Sequence, residues 1–226
     1  MKTSRVAAHA EKLLGESRML EGPYFKALKS RMSLEQFRAT QEQFYYAVLF
    51  FPRPMAALIG RIPQPAARLD ILHNLLEEHG DFRERAFHEN TFKRFLGTIG
   101  GRVPNLKRVP LWPEMRAFNT TLISSCLLDE VEVGVACMGM IERAFADVSA
   151  AIGAGVVARG WVPADKLVHY KLHARIDSRH AEEFFGVVED AWKTPSRRYY
   201  IDQGLRLGAY VFDRLYRDMA LRVLAD

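Results

Sequence analysis

Cysteine is nearly absent from this chain, with only Cys126 and Cys137 among 226 residues. Both sit in apolar, helix-like stretches, which argues against a disulfide scaffold and for a reducing compartment, the cytoplasm. A long hydrophobic run is missing too. The run Ala47–Phe51 near the middle of the chain falls far short of the roughly 20 apolar residues that span a bilayer. The N-terminal stretch MKTSRVAAHAEKLL holds no uninterrupted apolar segment of the kind a secretory signal needs. There is no basic block with interleaved aromatics. The formal charge of +5 is spread out, and its densest clusters, Arg83 with Arg85 and Arg197 with Arg198, are short. Neither a nucleic acid nor a membrane is therefore expected as a partner. Strand alternation, internal repeats and low-complexity segments are also lacking.

What is there is helical periodicity. The chain is 49% hydrophobic and 26% charged, ordinary for a globular domain of this length. Leu34, Phe37, Gln41, Phe44, Val48 and Phe51 mark one face of a helix opened by Ser33 and interrupted at Pro52 and Pro54. Further helices are expected over 66–78, closed by a left-handed Gly80, and over 88–96, closed by Gly97, Gly100 and Gly101. Others follow over 114–128, over 131–157 with Asp129 as its cap, from Pro163–Asp165 to about Trp192, and from Thr194–Pro195 to Leu224. The reading is all-α: a single domain over 1–226, a bundle of about seven or eight helices, with 1–20 as a peripheral N-terminal helix.

The strongest local signal is His173-Ala-Arg-Ile-Asp177-Ser-Arg-His180. At about 100° per residue, positions i, i+4 and i+7 fall on one narrow stripe of a helix. Imidazole, carboxylate and imidazole side by side suit iron, manganese or zinc. Two further pieces belong with it. Glu78 ends one helix and His88 starts the next, so a tight loop can bring both to one point. Glu142 is a carboxylate within an apolar helix beside Ala136, Gly139 and Ala144; such a group must be exposed, paired or bound to a cation. Three carboxylates and three histidines suit two divalent metals with positions left for O2 and a substrate. No glutamate has a histidine three residues later, so the pair is not of the usual ferritin-like kind.

In this order and spacing, Asn74-Leu-Leu-Glu-Glu78-His-Gly, His88, Glu142 and His173-x-x-x-Asp177-x-x-His180 resemble the heme-oxygenase-like diiron oxidases. These are relatives of TenA-like thiaminases, of pyrroloquinoline-quinone synthase and of the chlamydial-type 4-aminobenzoate synthase. The resemblance runs from about Tyr24 to the C-terminus. It implies a heme-oxygenase-like bundle, two iron ions (or manganese, or a mixed pair) held by Glu78, His88, Glu142, His173, Asp177 and His180, and O2-dependent oxidation of a small organic molecule, commonly by a homodimer. Two departures narrow it. N-oxygenase members carry an extra carboxylate on the preceding helix, and no acid occurs from Gln43 to Leu69. The 4-aminobenzoate synthase type carries a lysine after its central glutamate, and none occurs between Glu142 and Asp165, although Tyr24 stands where an N-terminal tyrosine is expected.

His169, one turn before His173, is expected to line the pocket. Tyr170 is a candidate hydrogen-bond donor or radical carrier, with a packed aromatic as the plainer reading. His73 and His79 are turned off the Glu78 face and belong outside the ligand set. The rival activities on this fold are a cofactor-free oxidase and a TenA-like hydrolase, the latter needing a cysteine nucleophile such as Cys137.

Overall fold

A computed structural model describes residues 4–225 of the chain. Its centre is α8 (Val131–Ala158), a helix so apolar that it is buried on nearly every side, as an all-round hydrophobic helix must be. Two long helices, α9 (Val168–Glu189) and α10 (Pro195–Leu224), make its most extensive contacts. Around these three pack α1 (Arg5–Ser17), α2 (Pro23–Lys29), α3 (Leu34–Phe50), α4 (Pro52–Ile59), α5 (Pro65–Glu78), α6 (His88–Thr98) and α7 (Pro113–Leu127). Among the described residues there is no strand, and no helix is long and apolar enough to cross a membrane.

The expected count of seven or eight is too low, since ten α-helices are present among the described residues. The two extra are short. Pro52 and Pro54 split α4 from α3 instead of kinking one helix, because proline cannot supply the amide that a continuing helix needs. Helix α2 starts with Pro23 as its first residue and runs for only seven residues, too few to show a period in the sequence. Three local expectations are also corrected. Glu130, not Asp129, occupies the position before α8, and its side chain makes no cap bond. Residues Ala164–Lys166 form a separate 3-10 turn, so α9 begins only at Val168. It ends at Glu189, with a further 3-10 turn at Ala191–Lys193.

Other signals act as read. Ser33 and Gln36 form a reciprocal capping box at the start of α3. Gly80 follows α5 with φ of 57°, and a Cβ there would lie 2.6 Å from the carbonyl carbon of Ala86. That glycine lets the chain double back from α5 to α6 through two short 3-10 turns, Gly80–Phe82 and Glu84–Ala86. The N-terminal helix is tied to the bundle by Glu189, which accepts from Ser4 Oγ at 2.6 Å and from the Val6 amide at 3.1 Å. Val6, Ala10 and Leu13 are buried beneath it.

The core has two parts. One gathers Phe37, Phe44, Phe92, Phe95 and Phe145 around Tyr24, Tyr170 and Tyr216. The other gathers Met55, Leu58, Met138, Met140, Phe184 and Phe185. Helix α8 contributes to both, and it is the helix that carries Glu142.

Candidate metal centre

Four helices bring six titratable side chains to one buried point. Glu78 comes from the end of α5, His88 from the start of α6, Glu142 from α8, and His173, Asp177 and His180 from one stripe of α9. All six are at least nine-tenths buried. The turn pinned by Gly80 sets His88 Nδ1 against Glu78 Oε1 at 2.7 Å. On α9 the i, i+4 spacing sets His173 Nδ1 against Asp177 Oδ1 and Oδ2 at 2.9 and 3.1 Å. His180 Nδ1 lies 3.8 Å from both Glu142 Oε2 and Asp177 Oδ1. Each imidazole therefore turns Nδ1 toward a carboxylate. The rings of His88 and His173 are 4.5 Å apart between centroids.

Several polar atoms here have no hydrogen-bond partner although buried: Glu142 Oε1, His180 Nδ1, His173 Nε2 and His169 Nε2. An orphaned buried polar atom costs about 1–3 kcal/mol, so four in one place call for an explanation. The protonation preferences show the same conflict. Burial pushes the Glu142 carboxyl up to about 7, and the charges of Asp177 and Glu78 add to this. Asp177 is likewise pushed well above the usual range by burial. Burial and the neighbouring His88 pull His173 down to about 3. Three groups are shifted against burial. Glu78 is held at about 2 by His88, His88 is raised in turn by Glu78, and His180 is raised to about 10 by Glu142 and Glu77.

A divalent cation would resolve this conflict, taking lone pairs from imidazole and carboxylate together and replacing the protons that the pairs would otherwise contest. Glu78, Glu142 and His180 each offer a ligand atom within 4.8 Å of the others. The donor set is nitrogen and carboxylate oxygen with no thiolate, the chemistry suited to iron or manganese. The residues present fit such ions.

A narrow cavity of about 40 Å³ reaches Glu78, Glu142, His169 and His173, and its other walls are apolar, chiefly Phe44, Val48, Phe118, Phe145 and Phe212. It has space for a molecule the size of water or O2. No arginine or lysine lines it.

The remaining candidates fall outside the six. His169 lines the cavity with its ring 4.3 Å from that of His173. Thr91 Oγ1 donates to the His88 carbonyl at 2.9 Å, so His169 Nδ1 is the donor in its 2.9 Å bond to Thr91. That leaves His169 Nε2 as an unprotonated acceptor, in line with the strong lowering of its pKa by burial. Tyr170 is buried, but its hydroxyl donates to Gln41 Oε1 and is not on the cavity wall. Gln41 in turn donates to the Tyr24 hydroxyl at 3.0 Å, which meets Thr40 Oγ1 at 2.8 Å. His73 is half-exposed, and His79 Nδ1 bonds the Leu75 carbonyl at 2.8 Å. Glu42, a buried acid on α3, is paired with Arg102 through both oxygens.

One residue that sequence reasoning passed over is Glu77, whose Oε2 lies 2.7 Å from His180 Nε2. Its signal was its place beside Glu78, but two consecutive acids at a helix end do not reveal which faces inward.

A protein named 4-aminobenzoate synthase from Nitrosomonas europaea is 22% identical over 210 residues, covering 88% of this chain and 84% of that protein. One of the same name from Chlamydia muridarum is 25% identical over 179 residues, covering 78% and 75%. Among solved structures, a TenA homologue from Pseudomonas syringae superposes with a TM-score of 0.74 at 14% identity, over 97% of this chain and 93% of that one. A domain with a heme oxygenase-like fold from Shewanella denitrificans gives 0.68 at 16% identity, over 95% and 88%. The fold is thus heme-oxygenase-like. Residues 38–209 match the iron-containing redox enzymes, a span that includes all six converging side chains, and the chain belongs to that family.

Proposed function

We infer that the chain holds two iron ions with Glu78, His88, Glu142, His173, Asp177 and His180, and uses O2 to oxidise a small organic molecule. The observation that carries this reading is the convergence of three buried carboxylates and three buried imidazoles with unpartnered lone pairs at one end of an apolar cavity. Bound iron would supply the electrons and coordination positions that O2 chemistry needs; manganese or a mixed pair suits the same donors. The chain's own part is to hold these ligands on four helices, to keep bulk water out with a wall of phenylalanine, and to place the neutral Nε2 of His169 beside the reacting space. The same reading has the enzyme in the cytoplasm, as a homodimer, with no nucleic acid or membrane partner.

The rival hydrolase is less well supported. Cys137 is fully buried and burial pushes its thiol far up, while Cys126 is pushed up to about 12; neither is poised as a thiolate nucleophile. A cofactor-free oxidase leaves the six-fold convergence without a purpose. A second reading, formation of 4-aminobenzoate, is favoured by the name shared by relatives that cover most of this chain.

The test is anaerobic loading with Fe(II) without a chelating tag, metal analysis, then rapid mixing with O2. About two irons per chain and a transient visible band are expected. Chromatography of the products, with and without added small molecules, then separates release of 4-aminobenzoate from oxidation of another substrate. A chain that retains no iron and shows no spectral change on O2 refutes the reading.

A further inference from the structure

Glu77 and Glu78 are consecutive on α5, so their side chains leave the helix about 100° apart. Glu78 turns to His88, and Glu77 turns to α9. There its Oε2 accepts from His180 Nε2 at 2.7 Å. The same carboxylate accepts from Arg179 Nη2 through both oxygens, at 2.8 and 2.6 Å. Arg179 Nη1 also bonds Glu183 Oε1 at 2.6 Å. His180 is fully buried, whereas the side chain of Glu77 is 23% exposed and that of Arg179 is 42% exposed. The network therefore runs from the surface inward and ends on the outer nitrogen of a buried imidazole. The inner nitrogen, Nδ1, is left without a hydrogen-bond partner, facing Glu142 and Asp177 at 3.8 Å.

We propose that Glu77 is a positioning residue that grips His180 by Nε2 and so aims Nδ1 at the metal centre, with Arg179 holding Glu77 in place. The proposal rests on the metal reading above. An imidazole can bind a metal through either nitrogen, and the hydrogen bond made by one decides which is offered by the other. Without Glu77 the ring is free to turn over and to present either edge. An outer carboxylate of this kind also makes the imidazole a better donor, and its loss commonly costs ten- to a hundredfold in metal affinity. The plainer alternative is that Glu77, Arg179 and Glu183 form only an ion-pair network tying α5 to α9.

Two substitutions separate these. Glu77→Gln keeps an acceptor oxygen for His180 Nε2 but breaks the ion pair with Arg179; Glu77→Ala removes both. In the full chain, Fe(II) affinity is measured against a competing chelator, and each iron environment is followed by Mössbauer spectroscopy. The expected result is a loss of roughly ten- to a hundredfold for one iron in Glu77→Ala, with a changed spectrum, and restoration to within a few-fold of wild type in Glu77→Gln. Wild-type behaviour in Glu77→Ala, or equal loss in both variants, overturns the proposal. A readout that needs no metal is the slowly exchanging imidazole N–H resonance of His180, expected in wild type and Glu77→Gln and absent in Glu77→Ala. A wild-type chain that binds no iron yet shows this resonance refutes the iron reading and leaves the grip of Glu77 on His180 standing. Absence of the resonance from wild type refutes the grip itself. Should Glu77→Ala fail to fold, Arg179→Ala, which leaves Glu77 in place, is expected to show a smaller loss of the same iron; no loss, or one as large as that of His180→Ala, counts against the proposal.

Discussion

Glu142 stands in an environment that disfavours its charge when no cation is near. Burial raises its carboxyl to about 7, against an ordinary value of 4.5, and its Oε1 has no hydrogen-bond partner. Glutamine at this position mimics the protonated form and carries no charge to bury. Glu142→Gln is therefore expected to raise the metal-free melting temperature at pH 8 by a few degrees, since about 1 kcal/mol shifts a domain of this size by roughly 2–4 °C. The same change is expected to abolish tight binding of at least one iron. Calorimetry and metal analysis on one preparation check both halves. A variant that is less stable without metal, or that loads two irons as wild type does, contradicts the account. Residues that gain function by enduring a local cost are the usual place for such a trade. At this scale the sequence was informative where helix geometry alone decides. His173, Asp177 and His180 share a stripe because of their spacing, and the structure sets their side chains together. It was uninformative where a distant element decides. Nothing local tells that Glu77 meets α9 while Glu78 meets α6, or that the Tyr170 hydroxyl turns to Gln41 on α3.

Helix α10 approaches the central helix through two glycines one turn apart. A Cβ on Gly204 would lie 2.4 Å from the Val133 carbonyl oxygen, and one on Gly208 would lie 2.6 Å from that of Cys137. Backbone cannot yield as a side-chain tip can, so α10 must shift outward if either position gains a methyl group. Gly204→Ala and Gly208→Ala are each expected to cost about 1–3 kcal/mol, seen as a lower melting temperature. Gly186, within α9, has no atom within 4 Å of such a Cβ. There the higher helix propensity of alanine prevails, and Gly186→Ala is expected to stabilise by up to about 1 kcal/mol. Equal effects at all three positions would show that the glycines matter for propensity and not for the approach of α10. Helix boundaries were legible wherever capping chemistry fixes them, as at Ser33, Gly80 and Pro195. They were not legible at α2 and α4. Segments of seven and eight residues are held by tertiary packing and too short for a period to stand out.

Across the whole molecule, the centre joins four helices through groups that titrate when metal-free, so stability should depend on pH and on metal together. Glu78 is held at about 2 and His173 at about 3 in the folded chain. Both bind fewer protons folded than unfolded, so their contribution is lost as pH falls, through 4.5 to 2 for Glu78 and through 6.5 to 3 for His173. His180 has the opposite sign. It is raised from 6.5 to about 10, so its contribution is full below 6.5 and is lost as pH rises toward 10. Glu142, raised to about 7, likewise loses stability as pH rises from 4.5 to 7. Above neutrality the Glu142 term is spent while the His180 term is still declining, and His88 and Asp177, both raised as well, change with the same sign. The melting temperature of the metal-free chain is therefore expected to fall between pH 7 and pH 9. Bound metal reverses this trend, because it occupies the lone pairs that His180 and Glu142 would otherwise keep protonated, and its affinity grows as protons are withdrawn. The gap between loaded and metal-free melting temperatures should widen over that same range, measured anaerobically with Fe(II) or with Zn(II) as a redox-inert substitute. A gap that stays constant or narrows would mean that the cation binds elsewhere, since only a site built from these raised groups links the ion to their protons.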